Sequence, residues 1–141
     1  MGVNKYNGER YYDPTPYEAL TSIEQEAKKR RYPKTYICSP FRGDVERNVQ
    51  KTADYCRFAL DRGRFPIAPH IWLPRFMDDA DPAERDIALS FGLRLLSGCR
   101  EVWAFGSEIS EGMRREIAEA ERRGIPVRYF NEDKEEIHRD G

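Results

Sequence analysis

The residue types best suited to chemistry lie in one short segment, Ser110-Glu111-Gly112-Met113-Arg114-Arg115-Glu116. Ser110 and Gly112 stand where a helix should begin, and a helix entrance offers a hydroxyl and free backbone N–H groups to an anion such as phosphate. Glu116 follows about one and a half turns into the helix, so its carboxylate can lean over whatever the entrance binds. A carboxylate beside a bound phosphate indicates chemistry on a phosphorylated sugar.

Alternating strand and helix patterns surround this segment. We expect strands over residues 35–38, 66–69, 101–105 and 126–130, with helices over residues 44–62, 81–98 and 110–123 between them. The apolar stripes of the first two helices would be Val45, Val49, Ala53, Cys56 and Leu60, and then Ile87, Phe91 and Leu95. This order predicts right-handed crossovers and a three-layer Rossmann/flavodoxin-like α/β domain with a mainly parallel sheet of four to five strands.

Two flanking regions differ in character from this core. Residues 1–34 carry a tyrosine-rich arm and a segment with a strong helix start at Thr15-Pro16-Tyr17-Glu18, and we interpret them as an N-terminal arm and helix. Residues 35–130 form the α/β domain, and residues 131–141 form a charged tail that we expect to fray.

Ligands of such sheets bind at the carboxyl ends of the strands, where the strand order reverses. The loops of residues 39–44 and 106–112 should meet there, and they are rich in glycine and polar residues. The loop after the second strand adds His70, Trp72 and Phe76 as candidate contacts for an aromatic base.

Composition excludes several partner classes. The net charge of −1 over 141 residues removes the electrostatic case for binding a nucleic-acid polymer, and no apolar run is long enough to suggest a membrane partner. The polar start of the chain is unlike a signal peptide, which favours a cytoplasmic location. Cys38, Cys56 and Cys99 have neither paired spacing nor histidine companions, so we expect buried thiols, no metal and no cofactor.

The segment Tyr36-Ile37-Cys38-Ser39-Pro40-Phe41-Arg42-Gly43, followed by Ser110-x-Gly112-x-x-x-Glu116 after an apolar strand, resembles the nucleoside 2-deoxyribosyltransferase superfamily. Within that superfamily the chain is more similar to the 2′-deoxynucleoside 5′-phosphate N-hydrolase branch, and it also resembles related uncharacterised domains. The resemblance spans residues 35–130. It implies a small-molecule nucleotide as partner and a homodimer or larger homo-oligomer.

The resemblance implies a role for each matching residue. Glu116 matches the glutamate that attacks the anomeric carbon, and Ser110 matches a helix-entrance position that is Asp in the transferases and Ser in the phosphate-specific hydrolases. A hydroxyl donates to a phosphate dianion that a carboxylate would repel. The implied substrate and phosphate contacts are Ser39, Phe41, Arg42, Gly43, Ser110, Gly112 and Met113, with His70 and Trp72 as candidates for the base pocket.

One position departs from that pattern. The resembled enzymes carry an Asp on the helix before the third strand, near the position of Gly92, and glycine can neither hydrogen-bond the sugar nor assist the leaving base. The nearest acids on the helix are Glu84 and Asp86, and the preceding loop offers three further carboxylates as substitutes: Asp78, Asp79 and Asp81.

Three functions therefore stay open. The first is hydrolysis of the N-glycosidic bond, or base exchange, on 2′-deoxyribonucleoside 5′-monophosphates through a glutamate nucleophile. The second is a catalytically silent protein that binds a nucleotide or nucleotide signal, which the glycine at position 92 favours. The third is an interaction protein that docks a partner through the arm of residues 6–17.

Overall fold

The computed structural model describes residues 32–139, and its strands and helices lie in the unit formed by residues 33–141. The arm and first helix predicted for residues 1–34 fall almost wholly outside the described residues. The described elements are β1 (Lys34–Cys38), α1 (Val45–Asp61), β2 (Phe65–Ile67), α2 (Pro82–Leu96), β3 (Glu101–Phe105), α3 (Glu111–Arg122), β4 (Val127–Phe130) and β5 (Glu136–Ile137).

The five strands form one sheet in the order β2-β1-β3-β4-β5. Neighbouring strands from β2 to β4 pair in parallel, and β5 pairs antiparallel with β4. The predicted three-layer, mainly parallel architecture is therefore confirmed, and β2, which contains Pro66, is an edge strand, where proline is tolerated. The tail is different from the prediction, since Glu136–Ile137 adds a strand where we expected fraying.

Alternation along the central strands divides the core between the two faces of the sheet. Tyr36 and Cys38 of β1 face a cluster that includes Leu96 of α2 and Ile117 of α3. Ile37 and the aromatic residues Trp103, Phe105 and Phe130 face α1 on the other side. Helices therefore cover both faces of the sheet.

The inner face of α1 differs from the predicted stripe. Thr52, Tyr55 and Ala59 are buried, whereas Leu60 is 41 % exposed and Cys56 is half-buried. The helix is oriented by a stack of Tyr55 on Phe105, with ring centroids 4.2 Å apart, and by a 2.8 Å hydrogen bond between the Thr52 and Ser39 hydroxyls. A stripe predicted mainly from aliphatic residues misses both contacts, because one joins two aromatic rings and the other joins two hydroxyl groups.

The inner face of α2 also differs from the prediction. Ile87, Phe91 and Leu95 are 46 %, 38 % and 39 % exposed, whereas Gly92 and Leu96 are buried. The helix approaches the sheet through its glycine, so the bulky residues of the predicted stripe face away from it. None of the helices within residues 32–139 combines the length and the apolar character that spanning a bilayer requires.

The chain runs from β1 outward to β2 and then returns to β3 on the other side of β1. This reversal places the loops that follow β1 and β3 side by side at the carboxyl ends of neighbouring strands. Asp44 and Ser110 end these two loops, and each caps the helix that follows.

Candidate functional site

Glu116 lies on the inner face of α3 and is 2 % exposed. The Tyr36 hydroxyl, from the middle of β1, donates a hydrogen bond to Glu116 Oε2 over 2.6 Å. Such a short bond to a carboxylate is charge-assisted and offsets part of the free energy that burying the charge costs. The strand and the helix thus fix one oxygen of the carboxylate.

His70 provides a second contact to the same oxygen. It lies in a 3₁₀ turn, Pro69–Ile71, after β2, and its Nε2 is 3.2 Å from Glu116 Oε2. The imidazole packs against the ring of Phe41 from the loop after β1, with centroids 5.2 Å apart. The carboxylate is therefore bracketed by a phenol and an imidazole.

The other carboxylate oxygen is in a contrasting environment. Glu116 Oε1 is buried and has no hydrogen-bond partner among residues 32–139. Buried polar atoms are almost always paired, and an exception needs an explanation such as a catalytic role or a missing ligand. Oε1 is therefore the oxygen of this site that accepts from no N–H or O–H group of the described residues.

Gly92 of α2 closes the site from the opposite helix. A Cβ atom at this position would lie 2.9 Å from the Tyr36 hydroxyl oxygen and 3.5 Å from Glu116 Oε2. The phenol therefore occupies the space into which a side chain at position 92 would project.

A pocket of about 460 Å³ opens beside Glu116. Ser39, Phe41 and Arg42 line it from the loop after β1, and residues 110–113 line it from the start of α3. Arg85, Ala88 and Leu89 line it from α2, and Leu73, Pro74 and Met77 line it from the segment before that helix. Glu116 and the two loops of the strand-order reversal thus share one cleft, of a size typical for a small-molecule ligand.

The entrance of α3 forms one end of this pocket. The Ser110 Oγ caps the helix by accepting a hydrogen bond from the Met113 N–H over 3.2 Å. The N–H groups of Glu111 and Gly112 belong to the first turn, where a helix offers its own backbone no acceptor. Arg42 is exposed at the pocket and has no ion pair within the described part of the chain.

Charge is unevenly distributed around the pocket. The segment of residues 78–86 supplies four carboxylates, from Asp78, Asp79, Glu84 and Asp86. The cations are Arg42, Arg85 and Arg115, and Arg115 lies 3.8 Å from Glu111. The acidic wall disfavours a phosphate and suits hydrogen-bond donors, whereas the α3 entrance suits an anion.

Burial and the Glu116 charge together change the chemistry of the neighbouring groups. Burial, and then the negative charge of Glu116, raises the pKa of the Tyr36 phenol well above its usual value. The same two causes raise the pKa of the Cys38 thiol. Both groups stay neutral at physiological pH, so Tyr36 acts as a fixed hydrogen-bond donor.

The structure brings most of the sequence-predicted residues to the pocket: Ser39, Phe41, Arg42, His70, Ser110, Gly112, Met113 and Glu116. It does not bring Gly43 or Trp72 there. Gly43 has a φ of +99° in an exposed turn, and Trp72 is 47 % exposed and stacks on Phe76. The Ser39 hydroxyl is already paired with Thr52.

Sequence reasoning gave Tyr36 no role in the site. A polar partner for Tyr36 could have been predicted, because a tyrosine in a buried strand usually pairs its hydroxyl with a polar group. The substitute acids Asp78, Asp79, Glu84 and Asp86 do line the pocket, but Asp81 instead caps α2 by accepting from the Ala83 N–H.

The fold has a counterpart among solved structures. A 2-deoxyribosyltransferase from Bacillus psychrosaccharolyticus superposes with a TM-score of 0.53 over 70 % of this chain and 72 % of its own, at 20 % identity. No curated protein sequence is significantly similar to this chain. Residues 33–130, which span the sheet from β1 to β4 and every pocket residue, match the family described as a domain of unknown function, DUF7768, and the chain belongs to that family.

Proposed function

We propose that the pocket binds a 2′-deoxyribonucleoside 5′-monophosphate and that Glu116 cleaves its N-glycosidic bond. The observation that carries this proposal is the carboxylate itself. One oxygen is held by Tyr36 and His70, the other is buried and unpaired among residues 32–139, and the side chain borders a ligand-sized cleft. A buried charge kept in this state is costly for stability alone and useful for attack on a substrate.

The chemistry follows from the position of this carboxylate. Cleavage of an N-glycosidic bond passes through an oxocarbenium-like state, which a carboxylate below the ring stabilises and then traps as a glycosyl ester. The bond from C1′ to the base nitrogen breaks as the bond from C1′ to Glu116 forms. Water then hydrolyses the ester and regenerates the carboxylate, or a second base takes the sugar.

The α3 entrance would hold the 5′-phosphate. Free N–H groups of the first turn, the Ser110 hydroxyl and the Arg42 guanidinium are the groups that bind a phosphate dianion. The acidic wall of residues 78–86 then faces the base, whose exocyclic amines donate hydrogen bonds. This orientation places the sugar between the two ends, beside Glu116.

The fold supports this proposal. The matching fold belongs to a protein described as a 2-deoxyribosyltransferase. A soluble nucleotide-processing enzyme of the cytoplasm, assembled as a homodimer or larger homo-oligomer, is the corresponding proposal for location and assembly.

Gly92 favours a second candidate, a protein that binds the nucleotide without turning it over. The resembled enzymes carry an Asp near this position, and here the Tyr36 hydroxyl fills the space. Such a protein would retain the phosphate contacts and use Glu116 only to fix Tyr36 and His70.

Chromatography of the purified protein incubated with deoxynucleotides and ribonucleotides separates these candidates. We expect wild type and Glu121→Gln, an exposed control on the same helix, to release free base from deoxynucleotides, whereas Glu116→Gln binds them without turnover. Binding without release by the wild type would favour the silent protein. If the wild type neither binds nor cleaves any nucleotide, both candidates are wrong.

A further inference from the structure

We infer that His70 is the acid that protonates the departing base, so that His70 and Glu116 work as an acid and nucleophile pair. This inference rests on the proposed function and assigns to a histidine the task for which the resembled enzymes use an aspartate. The observation behind it is the contact between the imidazole and the nucleophile.

The two ring nitrogens of His70 have different surroundings. Nε2 lies 3.2 Å from Glu116 Oε2, and the side chain, 21 % exposed, lines the pocket. Nδ1 has no hydrogen-bond partner within residues 32–139. A protonated imidazole donates from both nitrogens, so it can hold the carboxylate at one end and present a proton at the other. Packing against Phe41 and the edge-on approach of Tyr36, at a centroid distance of 6.5 Å, limit its reorientation.

Position 92 leaves no room for the alternative acid. An aspartate there would have to displace the Tyr36 hydroxyl, because even its Cβ would lie 2.9 Å from that oxygen. Tyr36 is a poor proton source, since burial and the Glu116 charge raise its pKa well above the usual value. Glu84 is already engaged, as its Oε1 accepts from the Asp78 N–H over 2.9 Å. Among the described residues, His70 and Tyr36 are the titratable side chains that hydrogen-bond to Glu116 through a nitrogen or oxygen atom.

The protons balance over one turnover with water as the only other reactant. As Glu116 attacks C1′, the electron pair of the glycosidic bond moves to the base nitrogen, and the Nδ1–H of protonated His70 transfers its proton to the base. Neutral His70 then accepts a proton from the water that attacks the glycosyl ester, which frees the sugar phosphate and the Glu116 carboxylate. The histidine is restored to its protonated form after one turnover.

The test uses two substrates that differ in their need for a proton. The base of 2′-deoxyguanosine 5′-monophosphate needs one to leave, whereas its N7-methyl derivative already carries a positive charge and leaves as a neutral base. The variant His70→Gln keeps an N–H donor for Glu116 but cannot transfer a proton. We expect it to lose about 10²–10⁴-fold in kcat on the ordinary nucleotide and to stay near wild type on the methylated one.

The second histidine of the chain provides the control, because His138 lies outside the pocket and His138→Gln should match the wild type on both substrates. His70→Asn, checked for folding by circular dichroism, repeats the test with a shorter amide. Equal loss on both substrates, or no loss on either, overturns the acid role of His70 while the proposed function stands. Release of base from neither substrate by the wild type overturns both.

Discussion

At the scale of single residues, Gly92 is a glycine that a helix would ordinarily not favour. Glycine within a helix costs about 1 kcal/mol relative to alanine, and this one faces the Tyr36 hydroxyl across α2 and β1. The absence of a side chain allows the phenol to reach Glu116. We therefore interpret Gly92 as a positioning residue for the Tyr36–Glu116 hydrogen bond.

Gly92→Ala tests this interpretation. The added Cβ would lie 2.9 Å from the Tyr36 hydroxyl oxygen, so the phenol must shift and the carboxylate loses its fixed donor. We expect a fall in base release of about 10–100-fold, since small misplacements of catalytic groups have such effects. The helix itself gains in propensity, so urea denaturation should show a folded protein.

The matched control is Gly98→Ala, beyond the end of α2, where the nearest atom to a new Cβ is 3.7 Å away. That variant should keep full activity. Unchanged activity in Gly92→Ala would show that the Tyr36 hydroxyl does not position Glu116 for the reaction.

The sequence predicted the site unevenly at this scale. Ser110 and Glu116 could be found because they share one helix, where spacing along the chain fixes spacing in the structure. Tyr36 lies 80 positions from Glu116, and whether these two residues meet depends on how α3 packs against the whole sheet. Trp72 lies outside the pocket because two consecutive 3₁₀ turns, which have no signature in the sequence periodicity, direct His70 inward and leave Trp72 exposed.

At the scale of elements, the entrance of α3 has two tasks that one substitution can separate. Ser110 caps the helix and is proposed to hold a phosphate. Ser110→Asp retains the first task, because Asp caps helices about as well as Ser. It repels a phosphate dianion, so the second task is lost.

We expect Ser110→Asp to unfold at nearly the wild-type urea concentration. Its kcat/KM for a deoxynucleotide should fall by about tenfold or more relative to its kcat/KM for the unphosphorylated deoxynucleoside. This loss corresponds to at least about 1.4 kcal/mol. Ser110→Ala is the comparison, since it loses the cap and about 1 kcal/mol of stability. Equal losses on phosphorylated and unphosphorylated substrates in Ser110→Asp would remove Ser110 from the phosphate site.

The second helix permits a prediction about its two faces. Leu96 is fully buried, whereas its neighbour Leu95 is 39 % exposed. Leu96→Ala should lower the free energy of unfolding by about 2–5 kcal/mol, as for other core leucines. Leu95→Gln should change it by no more than about 0.5 kcal/mol. Urea denaturation measures both, and a larger loss from Leu95→Gln would mean that this face is covered in solution.

Helix positions were predictable from sequence, whereas helix orientations were not. The caps at Asp44, Asp81 and Ser110 mark the beginnings of α1, α2 and α3 because each cap depends on nearby residues. Which face turns inward depends on the partner. On α2 the close approach at Gly92 outweighs the larger apolar area of Ile87 and Phe91, so the densest apolar stripe is not the buried one.

At the scale of the whole molecule, the order of strands and helices was sufficient to predict the sheet from β2 to β4. Crossover handedness and burial of both sheet faces restrict such a sequence to a few topologies. The strand β5 escaped prediction because it contains two residues, and its pairing depends on two bonds from Arg128 to Glu136 and on the turn at Asn131.

The thiols and the phenol whose pKa values are raised by burial lead to a prediction about stability at alkaline pH. Burial raises the pKa of Cys56 and of Cys99 from 9.0 to about 11, and the pKa of Tyr36 is raised well above 10.0. Between pH 9 and 11 the folded state therefore binds more protons than the unfolded state, so the free energy of unfolding falls as the pH rises.

We expect the Tm to be nearly constant from pH 7 to 9 and to decline from pH 9 to 11. The variant Cys56→Ala has no thiol at this position. Its Tm at pH 7 shifts, but the decline of its Tm between pH 9 and 11 should be shallower than in the wild type. A decline that begins below pH 8, or that is as steep in Cys56→Ala and Cys99→Ala as in the wild type, would contradict this account.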